Sequence, residues 1–196
     1  VRGGGKLSFT GDLSVDAGGE IDGDTDQNAG ALKADGTTQN INVGQTIDRL
    51  ETAPGVTLQL GSDLTVSQLI ADGTPGTDGL TVNSDEFGTK RTLTIAGAGS
   101  SINGDLTIGS DGKLEISSDR TLEIAGDLSK DSGGALDARS GSTVTFTNTT
   151  GSQTIGGDFT VNSAFENLTI KDNVSVVTDP STNIDVDEAF TLEATA

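Results

Sequence analysis

The chain has 196 residues with 30 acidic and 11 basic side chains, a formal net charge of −19, and neither cysteine nor histidine. That balance repels phosphate backbones and anionic bilayers, which argues against nucleic acid as a partner and against membrane insertion. The missing residue types exclude disulfides, thiolate or imidazole metal sites and Ser-His-Asp catalysis.

Twenty-eight glycines and only three prolines suit many short strands joined by tight turns. Six Phe with no Trp or Tyr count against an immunoglobulin-like sandwich, whose core centres on large rings. No run approaches the ~20 apolar residues of a membrane span. The opening VRGGGKLSF lacks the charged-then-apolar plan of a signal peptide and reads as the start of a mature or excised piece.

Val1 is expected to open almost directly into a strand, and Lys6-Leu7-Ser8-Phe9-Thr10 matches Thr121-Leu122-Glu123-Ile124-Ala125 in pattern. The turn Asp22-Gly23-Asp24-Thr25-Asp26 then gathers three carboxylates. Asp22, Asp24 and Asp26 are the candidate metal ligands, and a hard cation such as Ca2+ is the ion they suit. An EF-type loop would want glycine at its sixth place and glutamate at its twelfth, where this chain has Gln27 and Lys33. A solvated acidic turn therefore competes with a calcium site, and no other cofactor is expected.

From residue 58 onward a fixed interval emerges. Leu58 and Leu60 precede Leu80 and Val82 by 22 residues, and Leu80, Ile102 and Ile124 continue the count. Ile21 to Val43 and Ile47 to Leu69 fit it too. It is clearest over Gly104–Phe146, where Leu106 is followed by Leu128, Leu114 by Leu136, and Leu122 by Val144. Phe146, Leu168 and Phe190 carry it on. Short period-2 runs repeated every 22 residues predict an all-β fold, a parallel β-solenoid of roughly nine coils. Corners are expected at Gly, Asn and Asp, where positive φ costs least. The same sequence leaves open two tandem sandwiches split near residue 90.

A longer repeat overlies the short one. Residues 11–22 read GDLSVDAGGEID and residues 126–137 read GDLSKDSGGALD, identical at eight of twelve positions. Thr38-Gln39-Asn40-Ile41 answers Ser152-Gln153-Thr154-Ile155, and Gly55-Val56-Thr57-Leu58 answers Asn173-Val174-Ser175-Val176. The offset drifts between 114 and 118 residues. One elongated unit over 1–196 is expected, with internal duplicates at roughly 6–90 and 121–196.

The stretch 141–170, GSTVTFTNTTGSQTIGGDFTVNSAFENLTI, resembles the repeats of large secreted bacterial surface proteins. These are autotransporter passengers and filamentous-haemagglutinin-like adhesins, built as right-handed parallel β-helices. The resemblance covers residues 91–196 directly and the first half by duplication. It implies a right-handed rod, an extracellular or cell-surface location, and roles in adhesion or matrix.

Chemistry is sparse along the rest of the chain. Thr143, Thr145, Thr147 and Thr149 alternate as an ice-binding array would, but Thr is also a common exposed strand residue. Asn148, Asn167 and Asn173 open N-glycan acceptor triplets, Asn148 being the most accessible by its setting. Asp185 and Asp187 share a strand face and could form a glycosidase pair. With 30 acids such pairs arise by chance, and no enzyme is expected.

A solenoid ends in flat strand edges that pair with similar chains unless capped. Leu7 and Phe9 lie near one end, Phe190 and Leu192 near the other, with no evident cap. These four are the candidate assembly residues. The partner is then the protein itself, stacked head to tail, or flanking repeats of a longer chain. An adhesin or glycan-binding module is the alternative, weakened by the lack of Trp and Tyr, and a polysaccharide-active enzyme ranks below it.

Overall fold

The computed structural model describes residues 6–11, 13–14, 31–43 and 46–193. Among them it has twenty-two strands and no helix. The first wall stacks β1 (Lys6–Phe9), β3 (Ala31–Ala34), β5 (Thr46–Thr52), β7 (Leu64–Ala71) and β10 (Ser100–Ile102). It continues with β13 (Thr121–Ile124), β16 (Thr143–Phe146), β19 (Phe165–Ile170) and β22 (Val186–Leu192). The second wall holds β2 (Leu13–Ser14), β4 (Thr38–Asn42), β6 (Val56–Leu60) and β8 (Gly79–Ser84). Above them lie β11 (Asp105–Ile108), β14 (Leu128–Lys130), β17 (Ser152–Gly156) and β20 (Ser175–Thr178). The third side carries β9 (Arg91–Ile95), β12 (Gly112–Ile116) and β15 (Ala135–Ala138), with a short pair β18 (Asp158–Phe159) and β21 (Asn183–Ile184).

Every ladder is parallel. The chain is therefore a parallel β-solenoid with coils of about 22 residues. β7 pairs with β9 through its first half and with β10 through its second, one long strand feeding two sides of the coil. That pairing runs across residue 90, and sandwiches are built from antiparallel sheets, so the two-sandwich alternative fails.

Strand alternation fills the column. Leu, Ile and Val at alternate positions point inward and merge into one buried core from Leu32 to Leu168, each contributing ~1.5–3 kcal/mol. Leu106 pairs with Leu128, Leu114 with Leu136, and Leu122 with Val144, as the interval predicts. Ile102 with Ile124 and Leu168 with Phe190 follow it too.

Elsewhere the interval misplaces the rungs. Leu58 pairs with Val82, and Leu80 with Val56, so that rung is two residues longer. Leu80 stands on the second wall beside Leu106, whereas Ile102 stands on the first. Phe146 pairs with Ile170 rather than Leu168, and Ile47 with Val66 rather than Leu69. The cause is the corners, whose loops lengthen and shorten while the strands stay in place. Ile21 lies outside the described residues.

The corner text Gly-Asp-Leu has a physical basis. A Cβ on Gly104 would collide with the Asp78 carbonyl, and one on Gly126 with the backbone of Gly104 in the coil below. The aspartate then clamps adjacent coils. The Asp105 carboxylate accepts the N–H of Asp127 at 2.9 Å and of Gly76 at 2.8 Å, and the Asp127 carboxylate that of Thr154 at 2.7 Å. Leucine fills the core. Gly55 and Asn173, aligned in the repeat, both turn with positive φ, at 72° and 61°.

The repeated segments occupy matching rungs. Leu13 pairs with Ile41 as Leu128 pairs with Ile155. Thr38 pairs with Thr57 as Ser152 pairs with Ser175. Gln39 and Gln153, identical in the alignment, are both fully buried.

Candidate assembly ends

The geometry that matters most lies at the last described rung. Leu168, Val144 and Leu122 hold the column's inward positions below Phe190 and are buried at 0–3% exposure. Phe190 itself is 56% exposed, and Leu192 is 65% exposed. Both continue the inward-facing columns, so these apolar faces look along the rod axis into solvent. Beneath them opens a recess of about 470 Å³ lined by Ile155, Leu168, Val176, Ile184, Val186 and Phe190. It is the hydrophobic column seen in cross-section.

The edge is open as well as apolar. β22 pairs only with β19 among the described residues, and Glu193 N–H bonds to the Ile170 carbonyl at 2.9 Å. Because a parallel strand alternates the direction of its backbone groups, those of Phe190 and Leu192 face outward along the free edge. At the other end β1 pairs only with β3 among the described residues, Leu7 opposite Leu32 and Phe9 opposite Ala34. Phe9 is half-buried against the core. The four candidate end residues therefore sit on the first and last strands of one wall, at alternate positions of each.

The other sequence candidates fare differently. Asp22, Asp24 and Asp26 lie outside the described residues. Asp185 and Asp187 are exposed on one face of the chain at β22. Thr145 is flanked by Glu123 and Thr169, and Thr143 by Thr121 and Asn167. Thr149 lies past the strand end, so the four threonines do not continue as a flat array. Among the acceptor asparagines, Asn148 is half-buried with its amide oxygen taking the N–H and O–H of Thr150. The Asn167 amide bridges the Ser142 carbonyl and Glu188. Asn173 is the exposed one, on a left-handed turn, because the solenoid places its triplet on a corner.

The structure adds a feature that spacing does not reveal. Among the described residues β15 pairs with β12 alone, although further coils lie above it. The chain detours between β18 and β19, and the Ser163 hydroxyl takes the Leu136 N–H at 3.3 Å in place of a strand carbonyl. The gap left is a polar recess of about 600 Å³ lined by Lys113, Asp137, Arg139, Asn162 and Asp187. On its wall Arg139 bonds Glu115 at 2.8 Å and Asp137 at 3.0 Å, and Lys113 pairs with Asp137. The hydrogen bond to Glu115, then the Asp137 charge, raises the Arg139 pKa above its ordinary value.

The chain matches no known protein family, no curated protein and no solved structure.

Proposed function

We propose that this protein is an extracellular or cell-surface structural unit, a stiff acidic rod that stacks head to tail through its end strands. The supporting observation is the last rung, where an unpaired strand edge and two large apolar side chains lie over an open hydrophobic recess. Exposed edges with apolar faces are templates for pairing with another chain. A contact between two different ends repeats without closing and gives a fibre. The mechanism is mechanical: parallel ladders and a stacked aliphatic core resist bending, and the charge of −19 keeps rods apart sideways.

Electron microscopy and light scattering of the purified protein test this. The parent forms fibres of constant width, and Leu192→Pro, which removes an outward N–H from the free edge of β22, leaves single short rods. Fibres from the proline variant equal to those of the parent would overturn the reading.

The recess beside β15 favours a second reading, a module that binds a hydroxyl-rich ligand such as a glycan. It offers cationic donors and carboxylate acceptors together in one hollow. A glycan array with no hits for the parent, or with hits unchanged in Arg139→Ala, removes it.

A further inference from the structure

Resting on the head-to-tail reading, we propose that the junction has one fixed register. β1 of one copy lies parallel on β22 of another, Leu7 over Phe190 and Phe9 over Leu192, and a basic first strand meets an acidic last strand.

The first argument is continuity. Two inward columns run through the first wall from β1 to β22. One passes Leu7, Leu32, Leu50 and Leu69 and ends at Leu168 and Phe190. Its neighbour passes Phe9, Ala34, Thr52 and Ala71 and ends at Ile170 and Leu192. Laying Leu7 on Phe190 and Phe9 on Leu192 extends both columns. A slip by one residue would instead put Ser8 or Lys6 into the apolar columns.

The second argument is the chain's own internal junction. β7 also lies under another rung of the same wall. There Ile102 covers Ala71, and the Leu69 N–H bonds the Ser100 hydroxyl at 3.0 Å. Leu69 and Ala71 are fully buried as a result. The surface at Phe190 and Leu192 is of the same kind, so another coil of this pattern suits it.

The third argument is charge, and it selects a second copy. Strand for strand, β1 carries Lys6 and no acid, while β22 carries Asp187 and Glu188 and no base. Asp185, Asp187, Glu188 and Glu193 belong to the last coil. In the proposed register Lys6 lies opposite Ala189, next to Glu188. Tail-to-tail contact would bring two acidic strands together, whereas head-to-tail contact joins edge strands of opposite sign and sets the polarity of the fibre.

The absence of cysteine makes cross-linking unambiguous. Ser8 and Thr191 both face outward and are exposed. In the proposed register they are direct neighbours on strands about 4.8 Å apart, inside the ~4.4–6.8 Å Cα window of a disulfide. The Ser8→Cys/Thr191→Cys variant, oxidised after assembly, should give a ladder of covalent oligomers on a non-reducing gel. Thr10→Cys/Thr191→Cys, two residues out of step, should give none. Fibres that cross-link through the second pair, or through neither, overturn the register while the head-to-tail reading stands. A parent that never forms fibres overturns both.

Charge is read separately. Lys6→Glu should raise the concentration for half-assembly about tenfold, and Lys6→Glu/Glu188→Lys should restore it. A single variant that assembles like the parent, or a pair that fails to recover, overturns the electrostatic part.

Discussion

β7 and β22 are both long strands of the same wall, each continuing the same two inward columns, yet they meet opposite environments. Leu69 and Ala71 on β7 are fully buried, whereas Phe190 and Leu192 on β22 are more than half exposed. The side chains at the open end are if anything larger and more apolar. What differs is the neighbour: β7 carries β9 and β10 above it, and β22 carries nothing among the described residues. In a solenoid, burial is a property of the stack rather than of the strand, since each coil protects the one before it.

The largest effect should come from breaking the covered side of this comparison. Leu69→Ala removes a fully buried side chain between Leu50 and the β10 rung and should cost about 2–5 kcal/mol by urea denaturation. Phe190→Ala, measured in dilute monomer, should cost less than about 1 kcal/mol. Equal losses would mean that Phe190 is packed in the free protein and that the end is not open.

A smaller effect should follow from a polar group that the covered stack demands. The Gln153 carboxamide donates to the carbonyls of Ile124 at 3.0 Å and Gly126 at 2.6 Å and accepts the Asn148 N–H at 2.9 Å. It bridges the corner of one coil to the next inside a sealed interior. Gln153→Ala strands those buried groups and should cost about 1–3 kcal/mol, again by urea denaturation. No comparable penalty should attach to the exposed Ser175, which lies above Ser152 on the next strand. A neutral Gln153→Ala would show that water reaches this corner.

How far the sequence reveals the fold depends on which physical signal each part leaves. The rungs at Leu106–Leu128, Leu114–Leu136 and Leu122–Val144 are legible because their corners keep one length, so column and interval coincide. Leu58 and Leu80 mislead for the opposite reason. A slip of two residues keeps every side chain on the same face, so hydrophobic spacing cannot tell Leu80 from Val82 as the partner of Leu58. Phe146 and Leu168 fail in the same way. At the site, Phe190 and Leu192 are legible as apolar residues in a final strand. The recess beside β15 is not, since it arises from a strand partner that the detour after Phe159 fails to supply. For Gln153 the only sequence signal is its identity with Gln39 in the aligned segments, which burial explains in both.

The smallest effect concerns ion pairs and sharpens the same contrast. Lys33 meets Asp35 at 2.7 Å at the edge of a covered rung, with their side chains 28% and 25% exposed. Lys171 meets Glu193 only at 4.0 Å on the open end, with side chains 43% and 45% exposed. The hydrogen bond to Asp35 is the largest cause raising the Lys33 pKa above 10.5; burial opposes it, and the charges of Asp35, Asp72 and Glu51 add to the rise. A lysine whose pKa is higher folded than unfolded binds its proton more tightly in the native state. Its contribution is therefore complete below 10.5 and fades as the pH climbs through the raised folded value. Lys33→Gln should lower the urea midpoint slightly at pH 8, and the gap to the parent should close as the pH passes 10.5. Lys171→Gln should leave the midpoint unchanged at both, because a loose pair in solvent gains little over hydration. A gap for Lys33→Gln that persists at high alkalinity would assign its effect to packing of the lysine stem along the rung instead of to its charge.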